Sequence, residues 1–337
     1  MSQITIIYND VPDRFSATVD LKSEQGIMEV AKGIADVLQP LHAVSLLPFT
    51  GDIVLLMEQL MKSKPDAVFN LFEGAYGVSK SEIFVPMALE LLEIPYTGSA
   101  PKTLEVCLQK FKTKKLLQQR SVPTPRFELL IEDAAIETSL PFPLIVKPEH
   151  EDASVGISND SVVMTTDDLA RQVKLIWSIH KQPALLEEFI DGREFNVAVM
   201  GDPDAAEVEN KPQVLPVSEI SFATMPEGYR RIVSYNAKWD EQSVEYKETK
   251  PVCPAVIDFR LQMELQQTAL RTFNALGCRD YARVDLRVSR EGKPFVIDVN
   301  PNPDISKDAG FARATAVAGL DYAAMVQKIM SLALARR

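Results

Sequence analysis

Residues 281–300, YARVDLRVSREGKPFVIDVN, carry a period-two pattern interrupted by one turn. Ala282, Val284, Leu286 and Val288 fall on one face of a first strand, and Tyr281, Arg283, Asp285 and Arg287 on the other. After the turn at 289–294, Phe295, Ile297 and Val299 point one way and Asp298 and Asn300 the other. Such a hairpin brings Asp285, Asp298, Asn300 and Arg283 together over an apolar layer. Two carboxylates and an amide oxygen are hard donors that suit magnesium, which binds through few carboxylates plus substrate phosphates. An arginine beside them is placed to hold developing negative charge. The plainer alternative is a solvent-facing strand pair. Against it, Asp and Asn are poor strand formers and need a reason to be there.

A chain of 337 residues has room for two or three folding units, and its 46% hydrophobic and 25% charged residues are ordinary for a globular protein. A net charge of −11 argues against nucleic acid or an anionic membrane as partner. The first ten residues read as no leader, and no apolar run is long enough to span a bilayer, so a cytoplasmic protein is expected. Cys107, Cys253 and Cys278 match no metal-ligand spacing. Cys107 sits on the apolar stripe Leu104, Cys107, Leu108, Phe111 and is expected to pack. His42, His150 and His180 are too scattered for zinc. Chemistry is left to carboxylates, lysines and an oxygen-bound metal.

Strand and helix signals alternate through the first hundred residues: strands at 4–8, 42–47 and 66–71, helices at 26–38, 52–61 and 82–92. That order predicts an α/β, doubly wound parallel-sheet domain over 1–100, with ligands beyond the strand ends near Glu73. A helix is expected over 101–120, capped by Ser99 and carrying Lys110, Lys112, Lys114 and Lys115, most of them on a solvated surface. The sequence SVPTP at 121–125 breaks the chain. Strands follow at 144–147, 184–189 and 194–200, helices at 167–179, 259–276 and 322–333, with short strands and loops over 201–257. Lys147 ends an apolar strand, where a lone ammonium is costly and a ligand partner favoured. A polar loop containing Gly156 comes next. Lysines for phosphates, acids for ribose hydroxyls and an apolar slot for a base are what a nucleotide site requires.

Several short segments occur in one order: Ile94–Ser99 (IPYTGS), Lys110 with Thr113-Lys114, Val146-Lys147-Pro148, Ser154-Val155-Gly156, Glu194-Phe195, Ala237-Lys238, Cys253-Pro254-Ala255, Arg283 to Asp285, and Asn300 followed by Pro303. Their collinear occurrence resembles the ATP-grasp superfamily, and within it the D-alanine–D-alanine ligase branch. The resemblance runs from about residue 66 to the carboxyl terminus. It implies a central subdomain over 101–185 and a C-terminal, α+β subdomain with the metal site over 186–337. It also implies that Lys110, Lys147 and Lys238 meet nucleotide phosphates, with Ser154 in the loop over them. Glu187, Glu188, Phe189 and Ile190 correspond to the adenine hinge, where backbone groups of Glu188 and Ile190 bond the base. Glu194 corresponds to the ribose acid. Asp285, Asp298 and Asn300 correspond to ligands of two magnesium ions (manganese as substitute), and Arg283 with Lys238 to the catalytic cations.

The chain also departs from that branch. Its amino-terminal glutamate has no counterpart in residues 8–15, Ala153 replaces the loop serine, and Trp239 replaces the tyrosine after the second lysine. Glu73-Gly74 stands where histidine-glycine is usual. Asp304 and Ala309 replace the glycine and serine at the second D-alanine. Glu73, Arg283 and Asp304 are therefore the expected substrate-binding residues. The implied activity is amide formation between a carboxylate and an amine through an acyl phosphate, on amino acids or small peptides other than two D-alanines. An authentic D-alanine–D-alanine ligase and a nucleotide-binding kinase or regulator are the alternatives, and the family suggests a homodimer.

Overall fold

Apolar, β-branched segments buried on both faces form parallel sheets covered by helices. In the computed structural model, which describes residues 1–9, 26–74 and 78–336, the first such segment is β1 (Gln3–Asn9). It lies between β2 (Ala43–Phe49) and β3 (Ala67–Asn70), all three parallel. Ile4, Ile6 and Tyr8 face a core shared with α1 (Ile27–Leu38). Ile7 faces the opposite core, beneath α2 (Ile53–Ser63) and α3 (Phe84–Leu91). Helices thus cover both faces, as the alternation predicts.

The single helix expected over 101–120 is two: α4 (Pro101–Leu108) and α5 (Lys110–Gln119). Ala100, not Ser99, caps α4, and the Ser99 hydroxyl accepts from the Arg279 N–H at 3.3 Å. The break at Gln109 has a partner far along the chain. Glu149 accepts the Phe111 N–H on its carboxylate at 3.0 Å and the Lys110 N–H on its carbonyl at 3.3 Å. A distant acid thereby satisfies the orphan donors of a helix start. Lys110 and Lys114 are buried and Lys112 and Lys115 exposed, so half of the four lysines, rather than most, lie on the solvated surface.

A second sheet has the order β4-β7-β5-β6, from β4 (Phe127–Leu130), β5 (Leu144–Pro148), β6 (Val162–Val163) and β7 (Ala184–Glu188). α6 (Thr166–His180) covers it through Leu169, Val173 and Ile176. β7 runs through residue 185 and ends at Glu188.

The third sheet holds β8 (Arg193–Gly201), β9 (Gln213–Val214), β10 (Ser218–Ser221), β11 (Lys250–Val252), β12 (Asp280–Val288) and β13 (Pro294–Asn300). Its order is β11-β10-β8-β12-β13, with β9 on β8. Residues 201–257 also include two short helices that the sequence pattern does not announce, α7 (Tyr235–Trp239) and α8 (Val244–Glu248). α9 (Phe259–Leu276) packs Leu265, Ala269 and Phe273 against the sheet.

In the hairpin, Arg283 pairs with Asn300 and Asp285 with Asp298, after which the register shifts and Leu286 meets Val296. Ile297 is therefore the extra residue of a bulge. Val296 and Val299 enter the core in place of the expected Phe295, Ile297 and Val299 series, because one inserted residue resets the phase of a strand. α10 (Gly310–Val317) and α11 (Tyr322–Leu334) close the first core, bringing Phe311, Met325 and Ile329 beside Ile4 and Ile6. Among the described residues no single helix is long and apolar enough to cross a membrane; α10 and α11 qualify only as a pair, bent by 101°.

Candidate active site

The hairpin presents Arg283, Asp285, Asp298 and Asn300 on one surface, as the period-two pattern predicts. Arg283 grips Asp285 through Nε and Nη2 at 2.7 and 2.9 Å. Asn196 of β8 donates to Asp285 at 2.7 Å and Asn300 at 3.1 Å. Two oxygens accepting four donors use every lone-pair direction of that carboxylate. Asp285 is first an anchor for Arg283, and it meets a metal only by releasing a donor. Asp298 is freer, with Lys110 Nζ at 3.7 Å, and Asn300 keeps its amide oxygen. Among the described residues no three His, Cys, Asp or Glu side chains converge to hold a metal. The donors present, two carboxylates and an amide oxygen, are hard oxygens of the kind that hold magnesium together with substrate phosphates.

Facing Asp298 are the lysines. Lys110 also reaches Asp152 at 3.3 Å. Burial pulls its ammonium toward neutrality, but Asp298 and then Asp152 outweigh it and hold the charge. Lys114 and Lys147 each lie 3.1 Å from Glu187, whose side chain is 1% exposed. These are ionic contacts with no aligned hydrogen bond to either oxygen. Burial alone raises the Glu187 acid, yet Lys114 and Lys147 keep it below the ordinary range. Glu187 is thus no solvated strand-end acid. Lys238 lies among Arg283, Asp285, Asp298 and Asp152, and burial followed by Arg283 lowers its ammonium. Asp152, Asn196 and Glu149 are the site residues that the sequence reading did not single out, and Lys114 appeared there only within a motif.

The hinge after β7 is organised by Arg287. Its Nε donates to the Ile190 carbonyl at 2.8 Å, Nη2 to the Gly192 carbonyl at 2.9 Å and Nη1 to Glu194 at 2.8 Å. Its guanidinium lies 5.0 Å from the Phe189 ring centre. Burial raises the Glu194 acid and Arg287 opposes it. The Glu188 N–H donates to the Arg126 carbonyl at 2.9 Å, and its carboxylate pairs with the Arg126 guanidinium.

Residues 116–331 match the family model described as D-ala D-ala ligase C-terminus. The chain belongs to the D-alanine–D-alanine ligase family. Similar chains include an uncharacterized protein of Sinorhizobium fredii, 35% identical over 84% of this chain and 81% of that protein. A D-alanine–D-alanine ligase of Pelotomaculum thermopropionicum is 29% identical over 83% of each chain. The crystal structure of the Bacillus anthracis D-alanine–D-alanine ligase complexed with ATP matches with a TM-score of 0.75 and 21% identity, over 99% of this chain and 98% of that one, and so shares the ATP-grasp fold.

The loop at 149–160 is fastened to the segment 233–239 by three hydrogen bonds. Trp239 Nε1 donates to the Ala153 carbonyl at 3.0 Å, the Ser154 hydroxyl to the Val233 carbonyl at 2.8 Å, and the Tyr235 N–H to the Ile157 carbonyl at 2.8 Å. Ser154, expected at the phosphates, spends its hydroxyl on this closure. Gly156 has φ +75°, and a Cβ there would lie 2.5 Å from Pro148, so packing as well as flexibility requires glycine. The missing amino-terminal glutamate concerns residues 8–15, of which 10–15 lie outside the described residues. Glu73 is exposed, and its N–H donates to Asn9 Oδ1 at 3.2 Å. Asp304 is exposed and accepts the Ser306 N–H at 2.8 Å; its charge helps to raise the Arg283 guanidinium, against a larger opposing effect of burial.

Proposed function

We propose that this family member activates the carboxylate of an amino acid or small peptide with ATP and joins it to an amine, with substrates other than two D-alanines. The broader activity, ATP-dependent and ADP-forming carboxylate–amine ligation with a divalent cation, follows from the family. The observation that carries the reading is the meeting of Lys110, Asp298, Arg283 and Lys238 from four separate segments. A carboxylate oxygen attacks the γ-phosphorus, the bond to the β-phosphate breaks and ADP leaves. The amine then attacks the acyl carbon, loses a proton, and inorganic phosphate departs.

Lys110, Lys147 and Lys238 would place the phosphate oxygens, and Arg283 would hold the acyl oxygens through Nη1, the edge not used on Asp285. Magnesium (or manganese) held by Asp298, Asn300 and a partly released Asp285 would neutralise phosphoryl charge. The docked loop would exclude water from the acyl phosphate. Asp304 and Ala309 support substrates other than a second D-alanine, because neither supplies a group for a free carboxylate and Asp304 repels one. A screen of amino-acid carboxylates against amines, following ADP and identifying products by mass spectrometry, tests this. Amide products with ADP are expected; D-alanyl-D-alanine as the sole product would overturn the specificity, and ADP formed with one hydroxylated substrate and no amide would overturn the ligase reading.

A further inference from the structure

We infer that Glu82 holds the ammonium group of the carboxylate-donating substrate. This deepens the ligase reading above and rests on it. Glu82 lies in the 3-10 turn Ser79–Ile83 after β3, recessed but partly reachable. Asn302 Nδ2 donates to Glu82 at 3.0 Å and to the Phe72 carbonyl at 3.2 Å, while Asn302 Oδ1 accepts from the Tyr281 hydroxyl at 2.9 Å. Asn302 follows Asn300 by two residues, so one amide fastens Glu82 to the end of the strand that carries the candidate metal ligands.

Five acids at this centre lie within ion-pair distance of a cation: Asp285 has Arg283, Asp298 and Asp152 have Lys110, Glu187 has Lys114 and Lys147, and Glu194 has Arg287, while the carboxylate of Glu149 is met by the Phe111 N–H at a helix start. Among the described residues Glu82 has none, and the charge that acts on it is the carboxylate of Asp152. A recessed acid without a cation is costly to ionise, and the group that relieves it must be positive. That group is not the attacking amine. Attack needs a free electron pair, and a carboxylate beside an amine favours the protonated, unreactive form. What remains is the amino group of the acid being activated, which takes no part in bond making. Glu73, by contrast, is exposed and stands on the rim.

The test uses the full-length enzyme, Glu82→Gln, and the best carboxylate donor from the screen with its desamino and N-acetyl forms (propionate and N-acetylalanine for alanine). Glutamine can still accept from Asn302, which preserves the fold contact. In the wild type, removing or blocking the donor's amino group is expected to raise its KM at least tenfold, with kcat and the KM for ATP changed less than threefold. In Glu82→Gln, KM for the intact donor rises by a similar factor and the preference over the desamino form disappears. If the variant forms ADP and amide yet keeps the wild-type preference, or if the wild type shows none, the assignment to Glu82 is wrong and the ligase reading stands. If the wild type forms ADP with no carboxylate–amine pair, the reading itself fails.

Discussion

Trp239 Nε1 donates to the carbonyl of Ala153, so the loop over the candidate phosphate site is fastened through its backbone at a position that has no side-chain donor or acceptor. A serine is unnecessary at 153 because the indole asks only for a carbonyl, which every residue supplies. Ala153 and Trp239, both noted in the sequence as departures from the resemblance, are thus joined in one contact.

Trp239→Phe keeps a ring but loses the donor. One hydrogen bond contributes about 1 kcal/mol, which corresponds to roughly a fivefold change. We expect phosphate release to exceed amide formation in this variant, since a looser loop admits water to the acyl phosphate. Equal yields of phosphate and amide would show that the bond does not govern closure.

Glu187 neutralises two ammonium groups at once. Breaking a buried ionic group by removing one partner costs about 3–5 kcal/mol. Glu187→Gln should lower the Tm by several degrees, and a non-hydrolysable ATP analogue should raise the variant's Tm more than the wild type's, because phosphates replace the lost charge. A smaller ligand-induced rise in the variant would place Lys114 and Lys147 away from the phosphates.

Asp298→Ala should reduce ADP formation at least about 100-fold and abolish its dependence on magnesium concentration. Asp285→Asn should act differently, weakening the hold on Arg283 and raising substrate KM as well. Retention of magnesium-dependent turnover in Asp298→Ala would remove β13 from the metal site.

The hairpin and the acids on it were legible because a period-two strand pattern is local, whereas Lys110, Lys147 and Lys238 were named only through the family resemblance. Asp152, Asn196 and Glu149 were not legible, because their roles arise only when separate segments meet. The break at Gln109 has no glycine or proline to announce it; its cause is a carboxylate from beyond β5. The bulge at Ile297 was hidden for a related reason, since a phase reset becomes visible only once the partner strand is in register. Arg287 lay on the reactive face of the pattern, but nothing in spacing said that it would tie Glu194 to the hinge.

Burial pushes the Glu82 acid up to about 8 from 4.5, with Asp152 adding to the rise and the Asn302 hydrogen bond opposing it. The folded state then binds this proton more tightly than the unfolded one. Stability is unaffected by this group below about pH 4.5, falls as pH rises toward 8, and bears the full cost above it. Glu82→Gln should therefore be more stable than the wild type at pH 8.5 and equal to it near pH 4. Parallel Tm profiles for the two proteins across that range would contradict the placement of a recessed, ionisable Glu82.

The acyl phosphate is tested most directly by isotope transfer. With a donor acid labelled with oxygen-18 in its carboxylate, one labelled oxygen should appear in inorganic phosphate for every amide formed. Unlabelled phosphate accompanying amide product would contradict the account.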